Sequence, residues 1–489
     1  MFRLFCFFIV ETNKVSCFYI FTEEVILDNY KYLIKNISIL TIANFSTKFV
    51  SFFLLPLYTS YLTTTEYGIF DIYCLAITLI FPISSVCVSE SVVRFLITSD
   101  NRQEIINISL KYYIYSVIIF LFFQLTNKYY CFLPELNKYP IIHFILFISI
   151  SFNSLIFGYC RGEEKIKEMS LAAFISTLIT IILNIIFLVN WNMGLIGYFY
   201  STIIGLNIAN VYCMFKLSSL PKLTFKKINR SLEKEILLYG KGLVINSVSW
   251  WINLGLNKYF VLYLCNISES GILSAAYKIP TILSSFQSVF EQAWLLSAVK
   301  NYDKNDKTKF FIRTYNFYNL FCVFLSSIII ILTKILSSFL YQNSFYMAWK
   351  IVPLLMLSIL FSCAAGFIGC IFAAQKNTKL LSNTTLVGAF LNIILGIIFI
   401  NYYGIVGAGI ASLLTHFAIY LLRLIYIKKS MTFRINVIRD ALVYLILVIQ
   451  IMCVYINESI VTYLIQIILF VTTIALFTCE IKNIGRRIL

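Results

Sequence analysis

The sequence predicts an all-α integral membrane protein of about fourteen spanning helices: two six-helix lobes related by a pseudo-twofold axis, with a further helix pair at the C-terminus. Three observations predict it. Of 489 residues, 60% are hydrophobic and only 12% charged, an apolar share above the roughly 45–50% of soluble domains. A segment near the start recurs, with its polar turn, in the second half of the chain. Lys and Arg fall almost entirely on alternate connections between apolar runs.

Residues 1–30 fit neither lobe. Phe2 to Val10 is too short to span and has no small-residue cleavage site, so this stretch reads as an N-terminal extension, and translation beginning near Val25 to Leu27 is the bland alternative. From Ile37 onward the apolar segments are 37–62, 69–98, 110–127, 140–159, 170–190, 194–215, 237–265, 270–298, 310–332, 346–373, 380–400, 404–427, 437–456 and 459–479. A helix needs about 20 residues to cross a bilayer. These runs lack the alternation at about ten-residue spacing that a membrane barrel requires. The chain then divides into an N-lobe (31–215), a basic cytoplasmic linker (216–236), a C-lobe (237–427), and the last two helices with a cytoplasmic tail (428–489).

The net charge is +17, from 39 Lys and Arg against 22 Asp and Glu. Such a charge can signal nucleic acid, but here the basic residues sit in short loops rather than on one polar domain, so no nucleic-acid partner is expected. The N-terminal flank, the even-numbered connections and the tail hold 30 of them; the odd-numbered connections hold four. That bias predicts a multi-pass protein with both termini in the cytoplasm. Thirteen Cys occur without a Cys-x-x-Cys pair, and His143 and His416 are the only histidines. No metal and no cofactor is expected.

The internal repeat has two echoes. Tyr61-Leu62 and Glu66-Tyr67-Gly68-Ile69 answer to Tyr263-Leu264 and Glu269-Ser270-Gly271-Ile272, with Pro82 and Pro280 following. Later in each half, Leu183-Asn184-Ile185-Ile186, Asn190 and Gly194-Leu195-Ile196-Gly197 answer to Leu391-Asn392-Ile393-Ile394, Asn401 and Gly404-Ile405-Val406-Gly407. Six helices per unit is an even number, so both units have the same orientation and their axis lies along the membrane normal. In that plan substrate sits between two rocking lobes.

Charged side chains inside spans are the candidate functional residues, since a Lys or Arg at mid-membrane costs roughly 2.5–3.5 kcal/mol on insertion scales. Lys48 lies thirteen residues past Lys35, about 20 Å along a helix, near mid-membrane. Lys258 and Lys278 fall in the outer thirds of the seventh and eighth spans. All three read as lining a cavity and attracting an anion, although Lys258 and Lys278 could instead snorkel to the outer interface. Glu90 and Arg94 are spaced for a helical ion pair. Glu291 has no basic residue four positions on and is the candidate ion-coupling carboxylate. Trp250 and Trp251 lie too deep for an interfacial belt; with Asn246, Gln292 and Trp294 they offer ring faces and amides to a sugar, or they simply pack helices.

The run NFSTKFVSFFLLPLYTSYLTTTEYGIFDIY, the turn RGEEKIK at 161–167 and above all the stretch 244–294 resemble the polysaccharide transporters of the multidrug/oligosaccharidyl-lipid/polysaccharide (MOP) exporter superfamily, in particular the Wzx-type O-antigen flippases. The resemblance implies a MATE/MOP-like pair of lobes around a central cavity, often cationic. It implies a transporter rather than an enzyme, in the bacterial cytoplasmic (inner) membrane. Its cargo would be an undecaprenyl-pyrophosphate-linked oligosaccharide repeat unit of O-antigen, capsule or a similar polysaccharide, moved by alternating access to the outer leaflet. The implied partners are this lipid-linked glycan, membrane lipids, and the polysaccharide polymerase and chain-length proteins. A lipid II flippase and a MATE-type antiporter are the rival readings within the superfamily. A polymerase fits less well, because the longest outer connection, 128–139, is short and no nucleophile–base pair is apparent.

Overall fold

The computed structural model describes residues 52–98, 101–217, 229–301, 307–375, 377–433, 435–456 and 459–477. Among them the chain forms sixteen α-helices and no strand. The first repeat unit contributes α1 (Leu55–Tyr61), α2 (Thr64–Ser84), α3 (Val88–Thr98), α4 (Arg102–Tyr130), α5 (Pro140–Gly162), α6 (Ile166–Asn184, prolonged by a π turn over Ile185–Asn190) and α7 (Gly194–Lys216). The second contributes α8 (Arg230–Leu264), α9 (Ile267–Ala276), α10 (Thr281–Asn301), α11 (Lys307–Ile331), α12 (Thr333–Leu340), α13 (Val352–Ala374) and α14 (Thr378–Ser430). The appended pair is α15 (Val437–Tyr455) and α16 (Ile460–Ala475). The face carrying Thr63 and Asn266, which the charge bias assigns to the outside, is called the outer face below.

Nine helices among the described residues are long and apolar enough to cross a membrane. The count differs from fourteen for local reasons. In α14 two spans are joined at Gly404, whose φ of +55° and ψ of −135° no other residue type adopts readily. The seventh span, α8, carries Lys258 and several amides along its length. The eighth is broken into α9 and α10 around Pro280, which has no N–H to give to a helix ladder. The fourteenth, α16, has only 16 residues. The second span is counted among the nine, although it too is broken: Val86 (φ +54°) and Cys87 (φ +51°) are left-handed, and the Cys87 N–H reaches the Pro82 carbonyl at 2.9 Å. The first span lies mostly outside the described residues.

Both units contribute to the apolar core, which is continuous across the outer junction. In the first, Val92, Ile106, Leu155 and Tyr159 pack at the inner half, while Ile72, Tyr73, Phe120, Phe147 and Phe199 pack at the outer half. The second is built around α13, the most enclosed of the spanning helices at 72% buried, whose Phe367 stacks on Trp294 with ring centroids 4.4 Å apart.

Both sequence echoes have the same structural meaning in each unit. Thr63 caps α2 by accepting from the Glu66 N–H (3.2 Å), and the Glu66 carboxylate returns a bond to the Thr63 N–H (2.8 Å), a reciprocal capping box. Asn266 caps α9 by accepting from the Glu269 N–H (2.8 Å). The other Glu66 oxygen meets the start of α7, accepting from the Leu195 N–H at 3.4 Å beside Gly194 (φ +54°). Glu269 lies against Gly404 in the same way. A carboxylate there suits the positive end of a helix. The two echo asparagines are fully buried. Asn184 donates to the Tyr58 hydroxyl (2.9 Å) and accepts from Ser201 (2.5 Å). Asn392 donates to the Ile252 carbonyl (2.9 Å) and accepts from Asn257 (3.1 Å).

Candidate functional site

At the outer face the units meet through α2 and α9. Gly68 and Gly271, equivalent in the repeat, let these helices touch backbone to backbone: a Cβ added to Gly68 would collide with the Ile267 carbonyl, and one on Gly271 with the Thr64 carbonyl. The Thr64 and Ser268 hydroxyls bond across the junction at 2.6 Å. Thr59 of α1 adds a second tie, donating to the Leu340 carbonyl (2.9 Å) and accepting from the Gln342 N–H (3.1 Å).

One to two turns below this seal, the charged side chains of the junction converge. Asp71 is seven residues into α2, Ser274 seven into α9, and Lys258 six residues before the end of α8, so all three lie about 10 Å from their outer helix ends. The Lys258 ammonium pairs with Asp71 at 2.8 Å, and Ser274 donates to the same carboxylate oxygen at 2.7 Å. Lys258 also lies 5.3 Å from the Tyr277 ring centroid, within cation–π range. Lys278 stands in the break between α9 and α10, and with Lys258 and Asp71 it is in electrostatic reach of Cys74. Among the described residues its ammonium has no ion-pair or hydrogen-bond partner. The cluster holds two cations against one anion, with the unpartnered cation at a helix break.

Asp71 was not singled out from the sequence, because past the capping Glu66 the helix α2 is apolar and offers it no basic neighbour. Its signal was its place seven residues after a capped helix start. Lys48 lies outside the described residues. Trp251 crosses to the other unit, donating to the Leu75 carbonyl at 3.0 Å, while Trp250 is 45% exposed. Asn246 and Gln292 are exposed. Trp294 is a core residue, only 3% exposed, its indole N–H bonded to the Phe367 carbonyl at 3.1 Å. Of the two readings, sugar contact or helix packing, this arrangement shows packing, with Phe367 stacked on the indole. Glu90 is engaged by both terminal nitrogens of Arg161 (2.9 and 3.3 Å), and Arg94 lies 4.7 Å over the Tyr239 ring. The Glu90 charge therefore ties the second span to the fourth, beyond its own helix. Glu291 is not remote from cations, as its sequence neighbours suggested: it accepts from Gln287 (2.8 Å) and feels Arg423. Arg423 falls within the apolar segment 404–427 and is only 6% exposed inside α14. Among the described residues no cluster of His, Cys, Asp and Glu could hold a metal ion.

No curated protein matches the chain in sequence at a significant level. Among solved structures, a lipid II flippase, MurJ, in an inward closed conformation superposes with a TM-score of 0.68 at 15% identity, covering 92% of this chain and 99% of that one. An inward-facing multidrug resistance MATE transporter of the MOP superfamily gives 0.61 at 14% identity, covering 80% and 98%. A MOP superfamily transporter from Pyrococcus furiosus gives 0.53 at 13%, covering 81% and 96%. At these identities the likeness shows the fold alone, and it is the two-lobed fold of those transporters. A family model described as "Polysaccharide biosynthesis protein" matches residues 33–295. That is more than half of the sequence, and the chain belongs to the polysaccharide biosynthesis protein family.

Proposed function

We propose that the protein is a flippase, not an enzyme, which carries an undecaprenyl-pyrophosphate-linked oligosaccharide across the bacterial inner membrane by alternating access. Both termini face the cytoplasm in this reading. The observation that carries it is the pair of lysines at the lobe junction, Lys258 and Lys278, beneath a seal that the lobes must part to open. A family devoted to polysaccharide biosynthesis and a fold shared with a lipid II flippase support the same cargo class, an anionic headgroup with sugars on a long lipid. O-antigen or capsule units are the proposed glycans, with the polymerase and chain-length proteins downstream.

The Asp71–Lys258 pair gives the cycle an electrical logic. In the empty protein Asp71 neutralises one lysine, so the junction carries one net positive charge on its return. When pyrophosphate displaces the carboxylate, both ammonium groups face the cargo while Asp71 stays on α2, so the two charges of the pyrophosphate diester and that of Asp71 outweigh the two lysines by one. Moving one elementary charge through 100 mV is worth about 2.3 kcal/mol. With the inside negative, a loaded complex of net negative charge therefore moves outwards downhill.

The test uses a deletion strain complemented with Lys278→Gln, Lys258→Gln or the wild-type gene, with protein abundance and the leaflet location of lipid-linked glycan measured together. Lys278→Gln should insert at normal abundance, because it removes a charge without leaving a partner unpaired, and should leave glycan on the cytoplasmic side. Normal export with Lys278→Gln would refute the anion-attracting role. Single repeat units accumulating on the outer side in the deletion strain would refute the flippase reading. Rescue of a lipid II flippase deletion instead would favour that cargo.

A further inference from the structure

We infer that Glu291 is a proton-binding site inside the second lobe and that Arg423 is the switch that answers its charge. The inference rests on the two-lobe transporter reading above and adds an ion to it. Glu291 lies ten residues, about 15 Å, from the inner end of α10, inside the eighth span, where an ionisable side chain is costly and usually functional. One of its oxygens accepts from the Gln287 amide at 2.8 Å and rests on the α13 backbone at Gly366, where any Cβ would overlap it. The Arg423 guanidinium uses the neighbouring slot. A Cβ on Gly369 would stand 2.7 Å from its Nη1, and Gly366 and Gly369 share one face of the helix. Two glycines one turn apart thus seat a carboxylate and a guanidinium from two different helices.

In this arrangement the guanidinium is held by neutral oxygens and not by the carboxylate. Nη1 donates to the Ala365 carbonyl (2.8 Å), Nε to the Thr384 hydroxyl (3.1 Å) and Nη2 to the Thr385 hydroxyl (3.0 Å). Among the described residues the titratable groups that reach Glu291 are Arg423 of α14, Cys363 and Cys370 of α13, and Tyr318 of α11. Arg423 is the one that is charged near neutral pH. A protonated Glu291 leaves Arg423 on its threonine and carbonyl partners. When the carboxyl O–H breaks and the proton passes to water, the new anion draws the guanidinium one turn along α13 and frees Thr384 and Thr385. Those threonines belong to the first half of α14 and Arg423 to the second, so the swing changes how three spans of the lobe are tied.

The chemistry favours a proton over a metal cation. A hard cation takes about six oxygen ligands, whereas Gln287 presents its N–H to Glu291 and its oxygen to Cys363 (3.3 Å). A guanidinium one turn away repels any second cation.

The test reads conformation and uses no glycan, so its failure and that of the flippase reading are separable. Full-length protein in lipid nanodiscs carries spin labels on ketone-bearing residues introduced at Tyr129 and Tyr402, both strongly exposed. Distances are recorded from about pH 5 to pH 9 in potassium buffer. The wild type should shift between two populations with pH, Glu291→Gln should lose the shift, and Glu291→Asp and Arg423→Lys should retain it with a displaced midpoint. If Glu291→Gln does not fold, the displaced midpoints of the other two variants carry the test. A pH-insensitive wild type, a shift retained in Glu291→Gln, midpoints unmoved in Glu291→Asp and Arg423→Lys, or a shift driven by sodium at constant pH would each overturn the inference.

Discussion

Individual charges in this protein behave according to what stands across the helix boundary. Asp71 and Lys258 are far apart in sequence and each looks isolated there; folded, they form one ion pair. Glu233 is a simpler case outside the apolar segments. The Lys111 ammonium, 2.8 Å away, holds its carboxyl below the usual carboxylate range, with the Tyr112 hydroxyl (2.9 Å) helping and burial opposing. A depressed carboxyl stabilises the fold fully above its ordinary value of about 4.3, and that contribution fades as pH falls through the lower folded value. Glu233→Gln should therefore lower thermal stability in detergent at pH 7 by about 0.5–1 kcal/mol, as for a partly exposed pair. The deficit relative to wild type should shrink below about pH 4. An equal deficit at all pH values would show that packing, not charge, is what Glu233 supplies.

At the scale of elements, the two interrupted spans matter most. α2 and α3 are separated by left-handed Val86 and Cys87, and α9 and α10 by the turn around Pro280. A β-branched residue at positive φ costs on the order of 1–3 kcal/mol, so the second span holds a strained joint between its sealing half and its inner half. The sealing halves meet at Gly68 and Gly271, and the prediction at this scale follows from that contact. Gly68→Ala or Gly271→Ala must push two backbones apart, at a cost of about 1–3 kcal/mol typical of overpacking. On the proposed alternating access only the sealed state contains the contact, so each variant should raise outside reactivity of a cysteine placed at Ser274. Unchanged reactivity, with normal abundance, would show that the seal forms elsewhere.

Over the whole molecule, the repeat organises the outer face: the same glutamate meets the same left-handed glycine in each unit, Glu66 with Gly194 and Glu269 with Gly404. The appended helices are fastened by their own buried polar network. Arg439 and Asp440 pair at 2.7 Å, Asp440 accepts from Tyr315 at 3.2 Å, and Gln450 accepts from Ser327 at 2.8 Å. On the proposed orientation, the exposed native Cys131 should react with an impermeant thiol reagent from outside. In a Cys131→Ser background, cysteines at Asn192 and Tyr402 should react and ones at Lys227 and Lys304 should not. Outside labelling at Lys227 would invert the orientation.

The spans and the repeat were legible in the sequence because hydrophobic length and turn chemistry are local properties: about 20 apolar residues make a span whatever surrounds them, and Thr63 with Glu66 caps a helix from four adjacent positions. The echoes at Glu66 and Gly194 were visible, but not that they touch, because nothing local links a capping acid to a glycine more than a hundred residues on. Partnership between charges was equally out of reach. Glu291 looked solitary, Arg423 was one more charge in an apolar run, and Trp294 could meet a sugar or pack helices. Tertiary structure decided all three, since a buried side chain takes its role from whichever helices close around it, and helix packing brings together residues whose separation along the chain carries no record of the contact.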